Sequence, residues 1–325
     1  MFRILFFALV VSGAPAFALD LQGHRGARGL APENTLPAFA AALTIGVGTL
    51  EFDTAVTKDG VVIIAHDRRL NPEITKGPDG RYLTAPTPAI SALTLAEAKR
   101  YDVGAIDPES RYAKTFAGQR SVPGTSMPTL GEVAALVRRS GNTAVRFNVE
   151  TKLSPLAPDE TLDPEAFATT LVAALRSEGL AARATIQSFD WRTLKVVQRI
   201  APEIQTSCLT IARGNNDNVQ VGREGKSPWL AGLDVDDFGG SVPRVVKAAG
   251  CAVWSPFFRD VTPQAMAEAK ANGLTVAVWT VNDRDDMLRM IEMGADAIIT
   301  DYPDRLRGVM AEKGLTLPPA APVMP

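Results

Sequence analysis

Histidine is nearly absent from this 325-residue chain, occurring only at His24 and His66. That scarcity excludes a metal centre built on several imidazoles, the kind a metal-dependent amidohydrolase needs. Cysteine also occurs only twice, at Cys208 and Cys251, too few and too far apart for a cysteine-held metal. An oxidising compartment would permit a disulfide between them, and two buried thiols in apolar strands fit the sequence equally well. Lys and Arg form no basic run and the formal net charge is −2, so no nucleic-acid partner is expected. Beyond the amino terminus no apolar run approaches bilayer-spanning length, and stable membrane insertion is not expected.

The chain opens with one positive charge at Arg3, an apolar stretch from Ile4 to Val11, and then Ala16-Phe17-Ala18. This order is that of a secretory signal peptide cut after Ala18, and the apolar stretch is too short for an anchor. Residues 1–18 are therefore expected to be removed, leaving an exported protein, periplasmic or secreted.

Apolar strand-like runs alternate with helical patterns along residues 19–314. The strands read as 21–23, 48–53, 144–150, 184–188, 204–209, 251–255, 274–280 and 297–300. Helical stretches read as 34–45, 164–178, 191–200, 243–249, 263–272 and 283–293. Eight such units predict an α/β fold, a (β/α)8 TIM barrel rather than an open sheet. One segment interrupts the repeat. Asp59-Gly60 between two β-rich runs signals a hairpin, and a turn centred there sets Phe52 and Asp53 opposite His66 and Ala65. From about residue 68 to 128 the chain is rich in Pro, Gly and Asp, with a short helix over 94–99. This is an insertion on the face where barrel loops control access. Residues 315–325 read as a Pro-rich, disordered tail.

Glu51 and Asp53 lie two apart on one strand and so project from one face. Glu150 ends another strand, and strand ends converge on one mouth of a barrel. Three carboxylates without cysteine or surplus histidine describe an all-oxygen site for Ca²⁺ or Mg²⁺. Arg25 offers a planar fork to a phosphate and Lys152 a point charge. With a metal, such cations stabilise charge on the non-bridging oxygens of a phosphodiester under attack. His24 and His66 would supply the base for the attacking oxygen and the acid for the leaving one.

Taken in order, His24-Arg25-Gly26, Pro32-Glu33-Asn34-Thr35, Glu51-Phe52-Asp53, Thr57-Lys58-Asp59-Gly60 and His66-Asp67 resemble the signature of the glycerophosphodiester phosphodiesterase family. Glu150-Thr151-Lys152, Gln187-Ser188-Phe189-Asp190, Trp279-Thr280-Val281-Asn282 and Thr300-Asp301-Tyr302-Pro303 extend the likeness over nearly the whole mature chain. The resemblance implies hydrolysis of a small-molecule glycerophosphodiester to sn-glycerol 3-phosphate and an alcohol through a cyclic phosphate. It implies acid–base roles for His24 and His66, with His24 favoured as base and His66 as acid. Glu51, Asp53 and Glu150 match metal ligands, and Arg25 and Lys152 match the cations on the phosphate. The insertion and secretion signal are similar to the exported members, which favours Ca²⁺ over Mg²⁺. Glu33 and Asn34 would fix the first loop, though Asn34 could instead cap the helix. Trp279 would form an apolar wall for glycerol or else belong to the core. Asn148 departs from the pattern, standing where a further acidic residue is common. Two other functions compete: a phospholipase D-like enzyme acting on lysophospholipid or sphingolipid head groups, and a non-catalytic binding protein for phosphate esters.

Overall fold

The computed structural model describes residues 19–325, so the expected signal peptide lies outside the described residues. Nine strands form one sheet: β1 (Asp20–Gly23), β2 (Thr49–Val56), β3 (Val62–Ile64), β4 (Arg146–Thr151), β5 (Ala184–Ser188), β6 (Gln205–Thr210), β7 (Val253–Pro256), β8 (Thr275–Val278) and β9 (Ala297–Thr300). Pairing runs β1-β9-β8-β7-β6-β5-β4-β2, and β1 pairs back onto β2, closing eight parallel strands into a barrel. The expected TIM barrel is what the chain forms. β3 is antiparallel to β2 and stands outside the closed ring.

The helices are α1 (Leu36–Ile45), α2 (Leu95–Ala98), α3 (Arg111–Thr115), α4 (Leu130–Ser140), α5 (Pro164–Ser177), α6 (Trp191–Ile200), α7 (Val242–Ala248), α8 (Pro263–Ala271), α9 (Arg284–Glu292) and α10 (Pro303–Glu312), and all but α2 and α3 cover the barrel. Period-two alternation divides β2 between two environments. Leu50 and Phe52 turn outward to the helices, where the Phe52 ring lies 5.6 Å from Phe39 of α1. Glu51 and Asp53 turn into the bore. Two barrel helices were not anticipated, α4 and α10. The start of α4 nevertheless carries a legible signal: Thr129 and Glu132 form a reciprocal capping box.

The hairpin has the register expected of a turn at Asp59. Thr54 faces Ile64, Val56 faces Val62, and the Ala65 N–H donates to Asp53 O at 3.1 Å. The chain then leaves as the insertion, which holds α2 and α3 and buries Leu70, Ile90, Ala98, Val103 and Met127 with Ile63 of the hairpin. It returns beside its point of departure, where the Ile64 N–H donates to Pro128 O at 2.8 Å.

Two expectations change. Residues 315–325 lack regular secondary structure but are seated. Leu315, Leu317 and Val323 pack on the core, and the Ala321 N–H donates to Leu43 O at 2.8 Å. Prolines there prevent a helix without preventing docking. Cys208 on β6 and Cys251 just before β7 are joined as a disulfide, with Cα atoms 5.9 Å apart, so the buried-thiol alternative falls. Among the described residues no helix is long and apolar enough to cross a membrane.

Candidate active site

His24 and Arg25 sit where β1 ends at the carboxyl mouth. Arg25 has φ 49° and Gly26 φ 85°, a sharp turn that only the second residue adopts without strain. A Cβ on Gly26 would also come within 2.7 Å of the Ala38 backbone, so the turn packs directly on α1. The backbone N–H of Arg25 donates to Glu51 Oε2 at 2.9 Å. Its guanidinium donates through Nη1 to Glu33 Oε1 at 2.7 Å and lies with Nε 3.3 Å from Asp53 Oδ2. That Nε is buried with no hydrogen-bond partner.

Glu51, Asp53 and Glu150 are buried, and each presents an oxygen within 4.8 Å of the other two. Gln187 Nε2 donates to Glu51 Oε1 at 2.8 Å, and Asn34 Nδ2 to Asp53 Oδ2 at 2.9 Å. Lys152 Nζ is 2.8 Å from Glu150 Oε1 and 3.5 Å from Asp53 Oδ1. Burial lifts all three acids, with unequal outcomes. Burial and the neighbouring Asp53 and Glu150 charges push Glu51 well above the usual carboxylate range. Burial and Asp53 raise Glu150 to about 7 despite Lys152. Asp53 goes the other way: Lys152, His66, Arg25 and the Asn34 amide overcome its burial and hold it far down. Without a cation these shifts favour the protonated forms of Glu51 and Glu150. An all-oxygen, anion-crowded donor set of this kind fits a hard divalent cation.

Both histidine rings line the same cavity of about 230 Å³. His24 Nδ1 lies 2.6 Å from Asp301 Oδ1, and His66 Nδ1 lies 3.0 Å from Asp67 Oδ1. A carboxylate only accepts, so each Nδ1 carries the proton and each Nε2 keeps a lone pair. Burial, then the Arg28 guanidinium, lower His24 to about 4 although Asp301 opposes them. Burial, then Arg25 and Lys152, lower His66 as well. Both shifts favour the neutral ring, the form a base needs, and a ring serving as acid must first take up a proton on Nε2.

The cavity gathers His24, Arg25, Glu51, Asp53, His66, Glu150, Lys152 and Trp279. Glu33 and Asn34 are not on its wall; they stand behind it, Glu33 against Arg25 and Asn34 against Asp53. The helix cap is Thr35, whose side chain accepts from Ala38 N–H, so the capping role considered for Asn34 is set aside. Trp279 donates from Nε1 to Ser255 O at 2.8 Å and meets Phe189 and Phe257 at ring distances of 5.4 and 5.5 Å, forming an aromatic side to the mouth.

Sequence reasoning missed a supporting layer. Asp301 accepts two hydrogen bonds from Arg28, at 2.9 and 3.0 Å, and one from Asn282 Nδ2 at 2.7 Å. Arg28 in turn lies 4.6 Å above the Phe116 ring and donates to Tyr112, both from the insertion. Tyr112 also donates to Glu33. Barrel closure sets the end of β9 beside the end of β1, which is the signal that could have paired Asp301 with His24. Nothing local in the sequence points to Tyr112.

Comparison with known proteins gives a consistent relationship. The profile of the Glycerophosphoryl diester phosphodiesterase family matches residues 24–305. A glycerophosphodiester phosphodiesterase from Caldanaerobacter subterraneus subsp. tengcongensis is 28% identical over 291 residues, covering 90% of this chain and 97% of that one. A crystal structure from Silicibacter pomeroyi, provisionally assigned as a glycerophosphoryl diester phosphodiesterase, superposes with TM-score 0.81 at 36% identity, covering 94% of this chain and 96% of the other. A phosphodiesterase from Oleispira antarctica, solved in complex with the product sn-glycerol-3-phosphate, shares the fold with TM-score 0.66 at 22% identity, covering 91% and 98%. The chain belongs to the glycerophosphoryl diester phosphodiesterase family.

Proposed function

We propose that this protein hydrolyses glycerophosphodiesters to sn-glycerol 3-phosphate and an alcohol, with His24 as base, His66 as acid and a divalent cation on Glu51, Asp53 and Glu150. The observation that carries this reading is the convergence of two imidazoles, three clustered carboxylates and the Arg25 and Lys152 cations on one cavity. Bound there, the cation would neutralise the carboxylates and withdraw charge from a phosphate oxygen. Ca²⁺ is assigned before Mg²⁺, since three carboxylates with substrate and water oxygens suit an ion that takes roughly six to eight oxygen ligands.

The chain's own groups supply the rest. Arg25 and Lys152 hold the phosphate, and Trp279 with Phe189 offers an apolar side to the glycerol carbons. His24 Nε2 takes the proton of the glycerol 2-hydroxyl as that oxygen bonds to phosphorus. The bond from phosphorus to the alcohol oxygen breaks, and His66, which enters the step as imidazolium with a proton taken from solvent on Nε2, delivers that proton to the oxygen, leaving His66 neutral and His24 protonated. His66, 29% exposed against 12% for His24, stands nearer solvent, where an alcohol departs and a proton is regained. Water then opens the cyclic phosphate with the two roles exchanged. Export with loss of residues 1–18 belongs to the same proposal, supported by the signal-like amino terminus and by the buried disulfide.

The test is turnover of glycerophosphocholine by the mature protein with Ca²⁺, with Mg²⁺ and in excess chelator, alongside His24→Ala and His66→Ala. Chelation should stop turnover, either ion should restore it, and each variant should lose roughly 10²–10⁴-fold or more. Full activity in chelator refutes the cation site, and activity surviving either substitution refutes the acid–base pair.

A further inference from the structure

The segment of the insertion that carries α3 is fastened to the loop following β1. The Arg120 N–H donates to Leu30 O at 3.0 Å, Gln119 Nε2 donates to Arg28 O at 2.7 Å, and the Phe116 ring lies 4.6 Å from the Arg28 guanidinium. From this anchored position the Tyr112 hydroxyl enters a junction of two ion pairs. Glu33 accepts from Arg25 Nη1 on Oε1 at 2.7 Å and from Tyr112 on Oε2. Arg28 gives Nε and Nη2 to Asp301, at 2.9 and 3.0 Å, and Nη1 to the Tyr112 oxygen at 3.2 Å. Burial, then the Glu33 charge, hold the phenol protonated far above its ordinary range, so it donates to the carboxylate.

The hydroxyl occupies the two groups that these pairs would otherwise turn on each other. Arg28 Nη1 lies 3.9 Å from Glu33 Oε2, and the two side chains are 13% and 4% exposed. Without the hydroxyl both lose a buried partner, and opposite charges that close attract strongly away from water. Closing the gap turns Glu33 off Arg25 or lifts Arg28 off Asp301. Either movement is felt in the catalytic cavity, which Arg25 lines and where Asp301 orients His24. We propose that Tyr112 is a positioning residue for the hydrolysis: its hydroxyl keeps Arg25 on Glu33 and Arg28 on Asp301, fixing the phosphate-holding cation and the base together. This assignment rests on the roles proposed above for Arg25 and His24.

Tyr112→Phe removes the hydroxyl and keeps the ring beside Phe116, 4.9 Å away. The variant is assayed in the whole mature protein on glycerophosphocholine with saturating Ca²⁺. Its kcat should fall by about tenfold, and the inhibition constant of sn-glycerol 3-phosphate should rise by about threefold or more. A merely structural role lowers the active fraction, hence kcat, and leaves that constant unchanged. On glycerophosphoethanolamine the loss should agree within about twofold, since phosphate and glycerol are common to both substrates. In a Glu33→Gln background, where Arg28 has no charge to close on, Tyr112→Phe should cost less than about threefold further. A wild-type kcat, an unchanged inhibition constant, unequal losses on the two substrates or a full loss in the Glu33→Gln background each overturns the proposal. Should Tyr112→Phe fail to fold, Glu33→Gln alone decides, because the phenol reaches Arg25 through Glu33. A raised inhibition constant there supports the proposal and a wild-type one refutes it. Inactive wild-type protein, or turnover surviving His24→Ala, overturns the underlying reading and this assignment with it, a failure seen in those controls and not in the Tyr112 variant.

Discussion

Replacing Asp301 by asparagine asks whether His24, the proposed base, depends on the tautomer that this carboxylate imposes. Asp301 Oδ2 accepts from Arg28 Nη2 at 3.0 Å and Asn282 Nδ2 at 2.7 Å, while Oδ1 accepts from Arg28 Nε at 2.9 Å and faces His24 Nδ1 at 2.6 Å. In Asp301→Asn the amide oxygen keeps the Oδ2 position, where both donors are fixed, and the NH₂ group falls opposite His24, whose ring proton can move between its nitrogens. An NH₂ there needs a lone pair on Nδ1, which moves the ring proton to Nε2 and removes the base. Loss of the charge-assisted hydrogen bond alone is worth about 1.5–3 kcal/mol, or roughly 10–150-fold at about 1.4 kcal/mol per decade. With the wrong tautomer the loss should reach about 10³–10⁴-fold in kcat. Release of glycerol 3-phosphate from glycerophosphocholine, under saturating Ca²⁺, measures it. Asn282→Ala provides the control, because it leaves the Oδ1 contact intact and should cost less than about tenfold. Retention of more than a tenth of wild-type kcat by a folded Asp301→Asn variant refutes the reasoning.

Two further predictions concern the carboxylate cluster and the disulfide. Burial and Asp53 raise Glu150 to about 7, so the cation-free native state holds a proton that the unfolded chain releases at the ordinary carboxylate value of 4.5. The native state then binds more protons than the unfolded one across that interval, and the stability of the cation-free protein should fall as pH rises from about 4.5 to 7. Affinity for the cation should rise over the same interval, and urea titrations with and without Ca²⁺ at several pH values check both slopes. The Cys208–Cys251 bond spans 43 residues of sequence, a loop whose closure is worth about 4 kcal/mol in the chain-entropy account. The double variant Cys208→Ser with Cys251→Ser should lose up to that amount in denaturant unfolding, and an unchanged midpoint would count against it.

Much of this molecule was legible in its sequence because strand alternation and loop chemistry are local. Glu51 and Asp53 share a face on the pleat alone, and Asp-Gly at 59–60 is enough to set His66 beside them. Partners distant in sequence were not legible. Asp301 meets His24 across 277 positions, and Tyr112 reaches Glu33 from an insertion with no repeat to index it. The tail misled for a related reason: its prolines speak to backbone conformation, whereas Leu315, Leu317 and Val323 dock through apolar contact. Helix α4 was overlooked rather than hidden, since Thr129 and Glu132 announce its start.

The insertion departs after β3 and rejoins the body where Pro128 meets Ile64. Both its ends are thus anchored to one rung of the hairpin that carries the catalytic arm. Stretches of the excursion away from Asn71, Tyr112 and Phe116 can change length without shifting the hairpin, whereas losing those three would strip support from Asp67, Arg28 and Glu33. Descendants of this scaffold therefore have a canopy that is free to vary except where it is pinned to the mouth it covers.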